Sequence, residues 1–150
     1  MGNHLKIIYL LTAIYLLWLL AVLLFFGYTP TNDGTGYIEL SQQCLSEGQP
    51  YPTATVYAHE PFVWNIGIIN LTELSLWLSG SIVPLLLLLC LMKAATALFT
   101  ALTAGHLFGH RTAIIALLLF IAYPNNWGQS TMVSSEIPST FLCVLAVFLV

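Results

Sequence analysis

Charge is what this sequence has least of. Only 6 % of its 150 residues are charged, six acids against three bases, too few to clothe a water-facing surface. The shortage of Lys and Arg excludes a nucleic-acid partner, because no basic patch exists to neutralise phosphates along a duplex. No polybasic lipid-binding tail is present either. Cysteine is scarce: Cys44, Cys90 and Cys143 are an odd number, and two of them fall inside apolar runs, where they pack as small hydrophobes rather than as a disulfide framework. His59 and Glu60 are neighbours, not a helical two-ligand pair, and no Cys or His cluster has metal-ligand spacing, so no zinc site is expected. A Gly-rich nucleotide loop after a strand, a Ser-His-Asp set and a heptad repeat are all lacking.

What is present in quantity is apolar. Hydrophobic residues make up 59 % and the mean hydropathy is +0.90, so the expectation is an all-α membrane protein, a multi-span transmembrane helix bundle. Spans are expected at about residues 7–26, 82–108, 112–124 and 137–150, with an external loop at 28–81, all in one domain covering 1–150. The first run, Ile7 to Phe26, is too long for a signal-peptide core, and no small-x-small cleavage site follows it. His4 and Lys6 precede it and acidic residues follow, which places the N-terminus in the cytoplasm. Ala97, Ala101, Gly105 and Gly109 form a small-residue seam on the second run, suited to close helix approach. Gly109-His110-Arg111 is a basic cytoplasmic turn. The third run, Thr112 to Tyr123, is short and reaches membrane length only if its helix continues past Pro124 or the bilayer thins. The polar interval Asn125 to Ser135 is then external, and Ile137 to Val150 opens a fourth span. That run stops without a polar flank, so the 150 residues read as the front of a longer protein.

The external loop is the longest polar interval. Pro30, Asn32, Asp33, Gly34 and Gly36 are turn chemistry, and Tyr37, Leu40, Cys44 and Leu45 then recur on one helical face. An amphipathic surface helix is expected there, closed by Gly48 in a left-handed cap and kept from continuing by Pro50 and Pro52. Glu60-Pro61 starts a second helix, lying on the outer surface through Leu78 because a lipid-facing Glu73 would cost roughly 2 to 3 kcal/mol. Asn70-Leu71-Thr72 matches a glycosylation sequon, but on a helix a chance match is the better reading.

Few ionisable residues remain to carry chemistry. Asp33 is either a helix cap or Asp-Gly turn, or a carboxylate held for catalysis beside the membrane. Glu136 is a first-turn acid ahead of Pro138, favoured by the helix dipole, yet it falls on the same side as Asp33, so the two can face one cavity. Lys93 lies roughly 14 to 16 Å into its span at 1.5 Å per residue, too deep to face lipid tails. It calls for a partner, either an ion pair with Glu136 or Glu73 or a bound phosphate. Thr96, Thr100 and Thr103 share its face.

In order and spacing these features resemble the N-terminal part of a GT-C fold integral-membrane glycosyltransferase, the superfamily of protein O-mannosyltransferases and lipid A aminoarabinose transferases. The resemblance rests on Asp33 with Tyr37 four residues on, the Gly48, Pro50 and Tyr51 break, and Glu60-Pro61 leading a helix with Gly67. It continues with Leu107-Phe108-Gly109-His110-Arg111, Tyr123-Pro124 and Ser135-Glu136-x-Pro138. What it implies is inverting transfer of a sugar from a polyprenyl-phosphate carrier to an acceptor glycan, lipid or protein at the outer face of a bacterial plasma membrane, or of the endoplasmic reticulum in a eukaryote. Asp33 would be the base, and Glu136, Tyr37, Tyr51, His59 and Lys93 would bind substrate. Some branches carry a phosphate-holding lysine before the proline of the surface helix; here stand His59 and Glu60, which leaves the phosphate ligand unassigned. No cofactor is named by the residues, and assistance by a divalent metal stays open. Without later spans, this stretch alone should not catalyse transfer. Two other readings stand beside it: a non-catalytic membrane protein, flippase-like or scaffold subunit, and a transporter fragment.

Overall fold

A computed structural model describes residues 3–49 and 65–150. The expectations for Pro50, Tyr51, Pro52, His59, Glu60 and Pro61 lie outside the described residues. Within them there are seven α-helices and no strand. In chain order these are α1 (Asn3–Phe26), α2 (Asn32–Glu47), α3 (Ile66–Ser79), α4 (Val83–Phe108), α5 (His110–Ala122), the short α6 (Asn125–Gly128) with a 3-10 turn at Gln129–Thr131, and α7 (Glu136–Leu149). Two of them, α1 and α4, are long and apolar enough to cross a membrane.

α4 is the axis of the bundle, because its apolar residues serve the largest number of neighbours. Leu85, Leu86, Leu89, Cys90, Ala94, Ala97 and Ala101 are all buried on it, and α1, α5 and α7 pack around it. The small-residue seam does its expected work against α5. Ala97 and Ala101 are fully buried, and a Cβ on Gly105 would sit only 3.1 Å from the Ala113 Cβ. The two backbones meet where their side chains are smallest, which maximises dispersion contact. α1 contributes a buried stripe of Ile8, Tyr15, Leu19 and Leu23, spaced at helical intervals and flanked by the half-buried Leu11, Leu16 and Leu20, and leaves its opposite face exposed.

α2 forms on the face foreseen for it: Tyr37, Leu40 and Cys44 are buried. It ends on Gly48 at φ +65°, where a Cβ would be penalised. There Gln49 N–H bonds to Cys44 O at 2.9 Å and Gly48 N–H to Leu45 O at 3.4 Å, the paired closure of a Schellman end. α2 is tied to α3 through the wholly buried Ser41, whose hydroxyl lies 2.9 Å from Ile69 O and 2.7 Å from Tyr37 O. Glu73 sits on the same α2–α3 contact, where burial pushes the Cys44 thiol up and the Glu73 carboxylate adds to the effect. Thr72 is buried with its hydroxyl bonded to Ile68 O, so the sequon at Asn70 presents its threonine inward.

α5 ends at Ala122, so the helix of the third run closes at Tyr123-Pro124 and does not gain length by continuing past the proline. Proline has no N–H for the carbonyl four residues back, which is Phe120 O. The Asn126 side-chain amide donates to that carbonyl at 2.7 Å, and the Trp127 indole N–H donates to Ile121 O at 2.7 Å. With these carbonyls satisfied, the chain turns inward through α6. The interval 125–135, read from its polarity only as external, is folded back against the bundle. Ser130, Thr131 and Val133 are buried, Trp127 packs edge-to-face on Trp18 of α1, and Thr29 N–H bonds to Thr131 O at 2.8 Å.

Candidate functional site

Asp33 is the second residue of α2, in its first turn, two residues after the cap of that helix. Thr31 is extended (φ −126°, ψ 160°) and its hydroxyl accepts Gly34 N–H at 3.0 Å. The capping role open to Asp33 is thus filled by Thr31, leaving the exposed Asp33 carboxylate outside that bond. Gly34 is required by close approach. A Cβ there would lie 2.8 Å from Thr31 Oγ1, 3.0 Å from Val133 O and 3.2 Å from the Tyr28 hydroxyl oxygen. Gly34→Ala is accordingly expected to cost about 1 to 3 kcal/mol, since it displaces the cap hydroxyl and presses on backbone. A thermal unfolding scan of the detergent-solubilised protein will show the lowered midpoint. An unchanged midpoint would mean that the 31–34 turn does not bear on 133.

Asp33, Tyr37 and Glu136 line one cavity of about 200 Å³, with Thr31, Gln129 and Ser135 also in its wall. Bringing the two carboxylates together takes three elements. Thr31 sets the start of α2, the Thr29–Thr131 backbone bond clamps that start to the inward turn, and the turn delivers the first residues of α7. Tyr37 is buried and its hydroxyl donates to Ser135 Oγ at 3.4 Å; the Asn65 side-chain amide reaches the same Ser135 Oγ at 2.9 Å. α2, the start of α3 and the start of α7 thus meet at one serine. Ser134 donates its hydroxyl to the Glu136 carboxylate.

A second cavity of about 140 Å³ adjoins the first and shares Gln129 and Glu136 with it. Lys93, Thr96, Asn126 and Thr140 complete its polar lining, with Phe120 and Ile137 as apolar walls. Lys93 is only 4 % exposed. Its ammonium donates at 2.5 Å to Gln129 Oε1 and not to a carboxylate. The expected pairing with Glu73 is therefore corrected, because Gln129 and not Glu73 takes the ammonium. Glu136 shares the chamber of Lys93 but does not supply this bond. Of the threonine stripe, Thr96 lines the chamber, while Thr100 and Thr103 line a separate groove beside Cys143 and Val147 of α7.

Sequence reasoning missed Gln129. The available signal was the need of Lys93 for a partner, but a neutral amide 36 residues away carries no mark that distinguishes it. Tyr51 and His59 lie outside the described residues. Among the described residues, no group of three or more His, Cys, Asp or Glu is placed to hold a metal ion.

The arrangement offers two solvent-exposed carboxylates, Asp33 and Glu136, on one cavity, with Glu136 also in the wall of the chamber that holds the buried Lys93. It can accept a proton at either carboxylate. Comparison of the chain with protein-family models, with curated proteins and with solved structures finds no match.

Proposed function

We propose that the chain is the N-terminal part of a GT-C-type membrane glycosyltransferase that moves a sugar from a polyprenyl-phosphate carrier to an acceptor hydroxyl, with inversion. The observation that carries this reading is the convergence of Asp33, Tyr37 and Glu136 on one cavity at the end of the bundle where α1 gives way to α2. Membrane embedding is supported by α1, of whose most apolar stretch only 22 % is buried against protein. Leu17, Leu24 and Phe25 stand outward, an apolar surface that water would not tolerate but lipid would. In this reading α1, α4, α5 and α7 cross or enter the bilayer, while α2 and α3 lie at its outer surface.

In the reaction, the acceptor oxygen forms a bond to the anomeric carbon while the bond from that carbon to the carrier phosphate breaks. The bonding pair leaves with the phosphate, and the hydroxyl proton passes to Asp33. A carboxylate at the rim can reach a headgroup whose tail stays in lipid, so positioning comes from the membrane itself. The test is transfer of labelled sugar from polyprenyl-phosphate hexose and pentose donors by the full-length protein in membranes. Transfer above that of membranes lacking the protein is expected. No transfer with any donor or acceptor fraction would overturn the reading.

One observation favours a transporter instead: the Lys93–Gln129–Glu136 chamber puts polar groups inside the bundle. Sugar-coupled uptake by vesicles holding the protein, without transfer, would decide for it.

Orientation gives a further expected result. With Lys6 and Arg111 inside, single cysteines at Gln49 and Asn125, both exposed, should react with an impermeant maleimide added to intact cells, on a background lacking Cys143. A cysteine at His110 should not react. The opposite pattern would invert the topology.

A further inference from the structure

The end of the bundle away from the two carboxylates has a different character. Three histidines gather there from three helices: His4 of α1, His106 of α4 and His110 of α5 line one cleft of about 1100 Å³. The His4 and His110 rings are stacked, with centroids 4.0 Å apart and planes 20° from parallel. Along the chain Lys6 stands two residues from His4 and Arg111 directly follows His110, so two of the three bases in the sequence belong to this end of the bundle. The described acids all lie on α2, on α3 or at the start of α7. Below the histidines the walls turn apolar, with Leu5, Ile8, Leu102, Val147 and Leu149. Leu107 and Val147 carry that surface outward, 63 % and 64 % exposed.

We propose that this cleft binds an anionic phospholipid, its phosphodiester at the histidine lip and one acyl chain between α4 and α7. Charge complementarity selects the occupant. Imidazoles and neighbouring cations, with no acid among them, present N–H donors and positive charge to a phosphate, and basic pockets between membrane helices on the cytoplasmic side hold such headgroups. The apolar walls open onto an exposed apolar surface, as an acyl chain requires and a soluble anion does not. No single segment of the sequence carries this cluster, which is why the absence of a polybasic tail does not preclude it. The proposal rests on the membrane reading and on the N-terminus facing the anionic leaflet, and is independent of glycosyl transfer.

The test uses the full-length protein in vesicles of equimolar phosphatidylcholine and phosphatidylglycerol, with retained lipid identified by native mass spectrometry. Preferential retention of phosphatidylglycerol is expected. Arg111→Gln should lower the preference about fivefold, the yield of one base near the surface, and His4→Ala with His110→Ala should lower it further. All three positions are exposed, so folding should survive. Equal retention of both lipids by the wild type would overturn the headgroup assignment. A photo-reactive residue at Leu102 should capture lipid; capture of a second copy, or of another segment of the protein, would overturn the acyl-chain assignment. Failure of the protein to enter vesicles at all would sink the proposal together with the membrane reading, whereas loss of transfer activity alone would leave it standing.

Discussion

Asp33→Asn should reduce sugar transfer by the full-length protein by about a hundredfold or more while leaving its folding unchanged. The amide keeps the size of the carboxylate but cannot take up the acceptor's proton, and general-base catalysis contributes roughly that factor. The structure sharpens the comparison, because the cap of α2 belongs to Thr31 and its bond to Gly34 N–H does not involve position 33. Substitution at an exposed site away from any cap or core changes stability by no more than about 0.5 kcal/mol. Thr31→Ala is the matching control. It should cost about 1 kcal/mol of stability and change the rate far less than Asp33→Asn does. Rates are compared at matched protein levels, with wild type and Asp33→Ala alongside. Asp33→Asn running near the wild-type rate would return Asp33 to a structural first-turn acid.

The second large effect is expected at Gln129, a residue that touches no proposed reacting atom. Its amide oxygen accepts the buried Lys93 ammonium. Gln129→Leu removes the acceptor and leaves the charge in a low-dielectric site, which costs about 3 kcal/mol. Lys93→Leu should cost less, since it removes the charge itself, and the double variant should recover part of the loss. The difference appears as a coupling energy in a double-mutant cycle on unfolding in mixed micelles. The same cycle between Lys93 and Glu136 should give a smaller coupling. A coupling near zero for Lys93 with Gln129, or a larger one with Glu136, would mean that the chamber is organised around the ion pair after all.

These two residues mark what could and could not be read in advance. The ends of α1 at Phe26 and of α4 at Phe108, the left-handed end at Gly48, the seam through Ala97, Ala101 and Gly105, and the shared cavity of Asp33 and Glu136 follow from local period, from glycine chemistry or from which side of the bundle a segment faces; the start of α2 does not, because Asn32, Asp33, Gly34 and Gly36, turn residues by type, are helical once Thr31 caps them. The rest depended on contacts between distant segments. Thr31 outcompetes Asp33 as cap because its hydroxyl, not the carboxylate, reaches Gly34 N–H, and a sequence with three adjacent capping residues does not rank them. The turn at 125–131 is polar by composition, yet Ser130 and Thr131 at its end are buried by partnership. Asn126 and Trp127 spend their donors on the end of α5, and only then does Gln129 come within reach of Lys93. Pro124 announced a break without saying where the chain goes next.

The clamp between Thr29 and Thr131, and the bond from Tyr37 to Ser135 across 98 residues of sequence, also set a timetable. A ribosome adds roughly 5 to 20 residues per second, so Tyr37 is made about 5 to 20 s before the serine that anchors it. During that interval Asp33 has a helix but no cavity, and Gly34 has no Val133 carbonyl against it. The carboxylate is thus carried through biogenesis in an unassembled state and gains its partners only once α7 is begun. A nascent chain arrested before Thr131 would hold Asp33 and Tyr37 but neither Ser135 nor Glu136, which close the cavity around them.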